Sequence, residues 1–541
     1  MKKTVCYDPN YYPLPSQRMV VYGSKGMVCT SQSLAAQAGL EILKRGGNAV
    51  DAAVATAAAL TVVEPTSNGI GSDAFALIWK DGRLHGMNAS GAVPRALSME
   101  TARQQGWADK GTMPPYGWAP VTVPMAPAAW AGAVARHGRL SLAEVLVPAV
   151  SYARDGHALG AVESLSWGRA YKKYRAQSGE EFKNWFETFA PEGRAPQAGE
   201  IWRSEAHART LEKIAASNGR DFYEGSVAEM IAAAAKAGGG YLSAADLGEA
   251  EPEWVSPIKV NYHGYDVWEI PPNGQGIAAL VALSILDGFA AGNRTDPLTV
   301  HRQIEAMKMG FADAHRYVAD RRFADVPVEG LLSKEYGASR RALIGGTAEE
   351  RQAGTPLSGG TVYLCTADGE GNMVSWIQSN YMGFGSGIVI PGAGVSLNNR
   401  GHCASLQEGH PNMLEPGKRP YNTIIPGFLT KDGLPVGPFG VMGGFMQPQG
   451  HVQAVMNTVD FMMNPQQALD APRWQWTGGC DVSVEQAFPS ALAQKLIRMG
   501  HKVTVDPESI SFGRGEIIWN TEHGTLAGAT EPRTDGAVAA W

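Results

Sequence analysis

The segment Ala49–Val63 carries a single charged residue, Asp51, and is otherwise alanine, valine, leucine and threonine. Gly46-Gly47 stops a preceding helix predicted over 34–45, whose Ala36, Leu40 and Leu43 recur at helical spacing. Asn48 then reads as an N-cap, with Asp51 in the first turn. A helix apolar on every side has no face to offer water, so it must lie between other layers. A chain of 541 residues has room for that, and for two to four domains by length alone.

Further along, a strand is predicted over 74–80, turning at Asp81-Gly82. The middle, about 124–309, reads mostly helical, with helices over 142–153, 227–236, 276–286 and 298–318. The stretch 340–360 loses periodicity and ends in Leu357-Ser358-Gly359-Gly360, which reads as an exposed tail. Strands follow at 361–366 and 373–379. A hairpin joins 427–430 to 434–441 through Lys431-Asp432-Gly433, and helices close the region at 449–461 and 489–499. Strands near both ends with helices between them predict an α+β chain with a sheet-on-sheet core flanked by helices.

A net charge of −6 and the lack of any basic cluster interleaved with aromatics argue against nucleic acid and anionic membranes. Residues 1–19 lack the apolar core of a secretory signal, and no apolar stretch is long enough to span a bilayer. Five irregularly spaced cysteines form neither a disulfide framework nor a CxxC site. The expected compartment is the cytoplasm. No GxSxG elbow occurs, and the histidines include no HxxxH or HExxH pair, so neither a hydrolase-fold serine nor a helical zinc site is expected. The glycine run from Gly385 to Gly394 lacks the lysine of a phosphate loop.

The junction Gly359-Gly360-Thr361 remains. A hydroxyl residue opening a strand directly after two glycines suits self-cleavage, because attack of Thr361 on the Gly360 carbonyl needs a backbone geometry that glycine adopts at low steric cost. The freed α-amino group, with a reference pKa near 7.7–8.0, could then serve as general base for its own hydroxyl. On these residues alone, an ordinary linker entering a hairpin is the commoner reading, and the spacing by itself is a weak signal.

Longer motifs decide between the two. Residues 26–31 and 34–39, 45–56, 63–71, 305–308 with 311–313, 361–364, Asp368, Gly371-Asn372, 384–389, 397–399, 418–420 and Gly443-Gly444 occur in one order along the whole chain. In this the sequence resembles the γ-glutamyltransferases, a family of N-terminal-nucleophile hydrolases. The resemblance implies a four-layer αββα sandwich with a helical insertion. It also implies self-cleavage at Gly360–Thr361 into fragments 1–360 and 361–541, which stay together as one intertwined fold, with further dimerisation left open. Thr361 would be the nucleophile, Ser379 the hydroxyl that assists it, and the Gly443 and Gly444 amides the oxyanion hole. No metal or organic cofactor is implied.

The substrate-holding positions depart from the family pattern. Ser90 stands where the carboxylate-binding arginine belongs, Cys403 where an ammonium-binding aspartate belongs, and Asn422 and Thr423 replace paired serines. Arg400 is new in the pocket, and a guanidinium suits bidentate carboxylate binding. Arg400, Asn399, Tyr381, Asn422, Thr423 and Ser90 are therefore the candidate substrate-binding residues. The expected function is a self-processing amidohydrolase that forms an acyl-enzyme on Thr361 and passes the acyl group to water or an amine. Its substrate would be a γ-glutamyl amide such as glutathione, or a small acid amide. Oxamate-type amidohydrolase and cephalosporin-type acylase activities stand as alternatives. An intact Thr361, Ser379 and glycine pair argue against a non-catalytic relative.

Overall fold

The computed structural model describes residues 18–177, 179–350 and 360–541. Two seven-stranded sheets form its centre. One runs in the order Ala537–Ala540, Gly26–Thr30, Gly360–Asp368, Met373–Tyr381, Asp73–Lys80, Arg83–Ala89 and Glu253–Val255. The other runs Val21–Gly23, Leu526–Thr530, Arg514–Asn520, Leu434–Met442, Gly427–Lys431, Tyr265–Glu269 and Ile258–Tyr262. Every pairing within these two sheets is antiparallel.

The sheets face one another through strands Gly360–Asp368 and Leu434–Met442. Helices Ser33–Lys44 and Ala49–Val63 cover the outer face of the first sheet, and Gly276–Leu286 and Met446–Val459 cover that of the second. The architecture is thus the expected αββα sandwich. Ala49–Val63 is buried at all fifteen positions, because it is roofed by other helices as well as floored by the sheet. Asn48 caps it through a full capping box with Asp51 and also donates to the His137 carbonyl at 2.7 Å. A further helical layer between residues 99 and 248 packs over this side.

Helix Gly276–Leu286 has the predicted bounds, and Pro297–Tyr317 begins one residue early at a proline suited to a first turn. Three differences have local causes. The helix expected over 142–153 breaks into Leu142–Val145 and Val147–Asp155, where Pro148 cannot supply its N–H to a continuous ladder. The helix expected from 449 starts at Met446, with Phe445 as the cap residue between it and the glycine pair. The predominantly helical middle also contains the hairpin Ile258–Tyr262 and Tyr265–Glu269, which turns through His263 and Gly264 at positive φ. Part of the tail expected over 340–360 is helical, since Lys334–Arg341 covers its start, and residues 351–359 lie outside the described residues.

Asn48→Ala removes the Oδ1 that accepts both the Val50 and Asp51 amides, and leaves the His137 carbonyl without this donor. It should lower stability by about 1–3 kcal/mol, read as a lower midpoint in chemical denaturation; an unchanged midpoint would show that the cap is dispensable.

Candidate active site

Strand Gly360–Asp368 lies between Gly26–Thr30 and Met373–Tyr381, hydrogen-bonded to both. Its register is irregular between Gly360 and Val362, so Thr361 sits at a bulge, a device common beside active sites. Thr361 is 1% exposed. Its Oγ1 is 3.0 Å from Ser379 Oγ, and either hydroxyl can donate. Ser379 Oγ also accepts the Tyr381 amide at 2.8 Å, which fixes the rotamer of the hydroxyl next to Thr361. Gln447 Nε2 approaches Thr361 Oγ1 at 3.5 Å, while Gln447 Oε1 accepts from the Ile425 amide.

Gly443 and Gly444 follow strand Leu434–Met442 with φ of 130° and 61°, a backbone that side-chain-bearing residues rarely adopt. Their carbonyls accept from the Met446 and Gln447 amides as helix Met446–Val459 begins. The pair therefore occupies the positive end of a fourteen-residue helix, beside the glutamine that reaches Thr361. Gln275 Nε2 ties the Gly444 carbonyl (2.9 Å) to that of Thr423 (2.6 Å), joining the glycine turn to the Arg400 cluster.

Arg514 lies on the other side of the nucleophile. Its Nη2 donates to the Thr361 carbonyl at 3.2 Å and to Ser67 Oγ, and its Nη1 pairs with Glu64 at 3.0 Å. Burial raises the Glu64 carboxyl, with Arg514 and two serine hydroxyls opposing that shift. Neighbouring Glu163 is pushed well above the ordinary carboxylate range by burial and by the charge of Glu64. Arg514 thus anchors the backbone of Thr361 to a buried acidic patch.

Arg400 is fully buried. Its Nε pairs with Asp73 Oδ2 at 3.0 Å, its Nη1 donates to Thr423 Oγ1 at 2.9 Å, and its guanidinium lies 4.7 Å from the centre of the Tyr381 ring. Nη2 has no partner among the described residues. Asp73 also accepts from the Gly91 amide and from Asn422 Nδ2, so its oxygens are engaged. Burial raises its carboxyl, and Arg400 is the strongest influence holding it down. In the sheet Asp73 is the register partner of Ser379, and Tyr381 that of Gly360, which sets the Arg400 cluster beside the hydroxyl pair.

The predicted residues therefore divide. Thr361, Ser379, Tyr381, Arg400, Thr423, Gly443 and Gly444 form one connected group. Asn399 is committed at both ends of its amide, to the Met382 amide and the Pro115 carbonyl. Asn422 likewise spends its amide on Asp73 and the Ile424 amide. Ser90 bonds Asn88 and Asn273 and borders a cavity of about 120 Å³ also lined by Arg322 and Arg419. Cys403 Sγ is 4.0 Å from Arg400 Nη1, with its thiol pushed up by burial. A larger cavity of about 780 Å³, bordered by Ala128, Val134, Arg220 and Pro252, touches none of these groups. Sequence reasoning missed Gln447, Gln275, Arg514 and Asp73; of these only Gln447, three residues past the glycine pair, had a local signal.

The four-layer sandwich, with a buried threonine near the start of a central strand, has the architecture of the N-terminal-nucleophile hydrolases. The chain belongs to the γ-glutamyltranspeptidase family, whose model matches residues 35–541. It is 35% identical over 537 residues to the glutathione hydrolase-like YwrD proenzyme of Bacillus subtilis, covering 96% of this chain and 99% of that protein. The oxamate amidohydrolase proenzyme of Klebsiella pneumoniae is 33% identical, over 95% of this chain and 98% of its own length. The crystal structure of a cephalosporin acylase from Bacillus halodurans superposes with a TM-score of 0.96 at 57% identity, covering 99% of both chains. The chain is accordingly an amidohydrolase of this family, in which the YwrD protein and the oxamate amidohydrolase are named as proenzymes.

Asp73→Asn strips the buried guanidinium of its counter-charge and should cost about 3–5 kcal/mol. Adding Arg400→Met should recover part of that loss in a denaturation double-mutant cycle; strictly additive losses would show that the two side chains are not coupled.

Proposed function

We propose that the chain cleaves itself between Gly360 and Thr361 and then uses Thr361 to hydrolyse a short acid amide whose carboxylate is held by Arg400. The observation that carries the substrate reading is the buried Nη2 of Arg400, a charge-bearing donor without a partner among the described residues, on a cation whose other nitrogens are engaged. A γ-glutamyl head group would bring an ammonium as well. The carboxylate beside Arg400 is Asp73, and it is already occupied by Arg400, Asn422 and the Gly91 amide. Burying an ammonium there without a free anion would cost several kcal/mol. A small acid without an α-amino group avoids that cost. Among the relatives, the oxamate amidohydrolase is named for a substrate of this kind, whereas the YwrD protein is named for glutathione.

The chemistry follows from the placements. In the precursor Thr361 Oγ1 attacks the Gly360 carbonyl, forming an ester as the peptide nitrogen leaves with a proton, and water then hydrolyses the ester. The freed α-amine accepts the Thr361 hydroxyl proton when an amide substrate binds. Gly443 and Gly444 supply N–H donors to the developing oxyanion, reinforced by the helix that starts at Met446. Ser379, fixed by the Tyr381 amide, holds the hydroxyl in line. The amine of the substrate departs with a proton, leaving an acyl-threonine that water resolves. Fragments 1–360 and 361–541 would remain together, because both sheets draw strands from each.

Steady-state kinetics on a panel of dicarboxylic monoamides and γ-glutamyl amides tests the reading. Wild type should favour the monoamides, and Arg400→Ala, paired with Arg400→Lys to limit unfolding, should lower kcat/KM for them by about 100-fold. An unchanged kcat/KM in both variants would remove Arg400 from the pocket, and a preference for γ-glutamyl amides would overturn the assignment.

A further inference from the structure

Helix Pro297–Tyr317 presents His301 and Glu305 four residues apart on one face. His501, just ahead of strand Lys502–Asp506, meets them from the opposite end of the sequence. One ligand atom from each lies within 4.8 Å of the other two, and all three side chains are buried. The hydrogen bonds fix where the protons sit. His301 Nε2 is 3.2 Å from the Gly345 carbonyl oxygen, which can only accept, so Nε2 carries the proton and Nδ1 keeps its lone pair. His501 Nε2, 2.8 Å from that lone pair, must donate to it. The Nδ1 of His501 is then an unprotonated nitrogen, buried and without a partner among the described residues. Burial lowers both imidazoles, His501 to about 3, so the rings are neutral at pH 7.

We propose that His301 Nδ1, a carboxylate oxygen of Glu305 and His501 Nε2 form a binding site for a divalent transition-metal ion of the zinc class. Two neutral imidazoles and a carboxylate are a set that zinc accepts. The far nitrogen of His301 already donates to a carbonyl, the outer contact that typically orients a metal-binding histidine. Metal–ligand bonds of 2.0–2.2 Å place tetrahedral ligand atoms about 3.4 Å apart, so the cluster closes on an ion by side-chain shifts of about 1 Å. On binding, the His501 proton passes from Nε2 to its unpartnered Nδ1, and the ring ligates without net proton loss. Lys308 limits the affinity: its Nζ donates to Glu305 Oε1 at 2.6 Å and to the Glu349 carbonyl at 3.0 Å, and its charge opposes a second cation. His301 and Glu305 precede residue 360 and His501 follows it. If the proposed cleavage occurs, the ion would therefore clasp the two fragments, although binding itself does not depend on cleavage.

The site is far in sequence from Thr361 and shares no residue with the catalytic group, so metal binding and amide hydrolysis can be read separately. The test is titration of untagged, EDTA-stripped protein with Co²⁺, followed by visible absorption, with Zn²⁺ as competitor. The expected result is ligand-field bands saturating at one Co²⁺ per chain and lost on adding equimolar Zn²⁺. His301→Gln and His501→Gln should each weaken binding by about 100-fold with circular dichroism unchanged. Lys308→Met should tighten it by about tenfold, because the opposing charge is gone. No saturable band in the wild type, or a band that survives both histidine substitutions, would overturn the proposal. Should the histidine variants fail to fold, the wild-type and Lys308→Met titrations decide it alone, with absence of saturable binding in both counting against the site.

Discussion

Strand Gly360–Asp368 is hydrogen-bonded along both edges, to Gly26–Thr30 on one side and Met373–Tyr381 on the other. That double pairing fixes what surrounds it. Register places Tyr381 opposite Gly360 and Asp73 opposite Ser379, so the first residues of the strand lie beside the residues they are proposed to work with. The facing sheet brings Leu434–Met442 over the same strand, and the turn at its end delivers Gly443, Gly444 and Gln447. The strand is also where the two proposed fragments interlock. Gly26–Thr30 and Ala537–Ala540 pair with each other, although they come from opposite ends of the chain.

The pocket is built from engaged charges. Arg514 is spent on Glu64, Ser67 and the Thr361 carbonyl, and Arg400 on Asp73 and Thr423. A buried ion pair seldom adds net stability over apolar side chains of the same volume, and its value lies in fixing one arrangement. Here Asp73 orients Arg400 through Nε and Thr423 through Nη1, which leaves Nη2 as the donor proposed to meet an anion. In the proposed recognition the carboxylate would be met by Arg400, oriented by Asp73 from the strand beside Ser379.

Much of this was legible in the sequence wherever local chemistry dictates structure. The all-round apolar Ala49–Val63, its Asn48 cap and the Asp432-Gly433 turn follow from periodicity and backbone preference. The hairpin Ile258–Glu269 was missed: Val260 and Tyr262 alternate inward before the His263-Gly264 turn and Val267 and Glu269 after it, but the long helical runs on either side outweigh so short a signal. Contacts between distant residues were not legible. Nothing local shows that Asp73 meets Arg400, 327 positions away, or that Arg514 holds the Thr361 carbonyl. The search for histidine pairs on one helix likewise overlooks His301, Glu305 and His501, since the third member arrives from a different element.

The claim on which the rest depends is that Thr361 becomes an N-terminus. Intact-mass spectrometry of freshly purified wild type and Thr361→Ala measures this directly. The account predicts two wild-type fragments that divide immediately before Thr361, and a single uncut chain for the variant. An uncut wild type, or a variant that divides at the same bond, would contradict it.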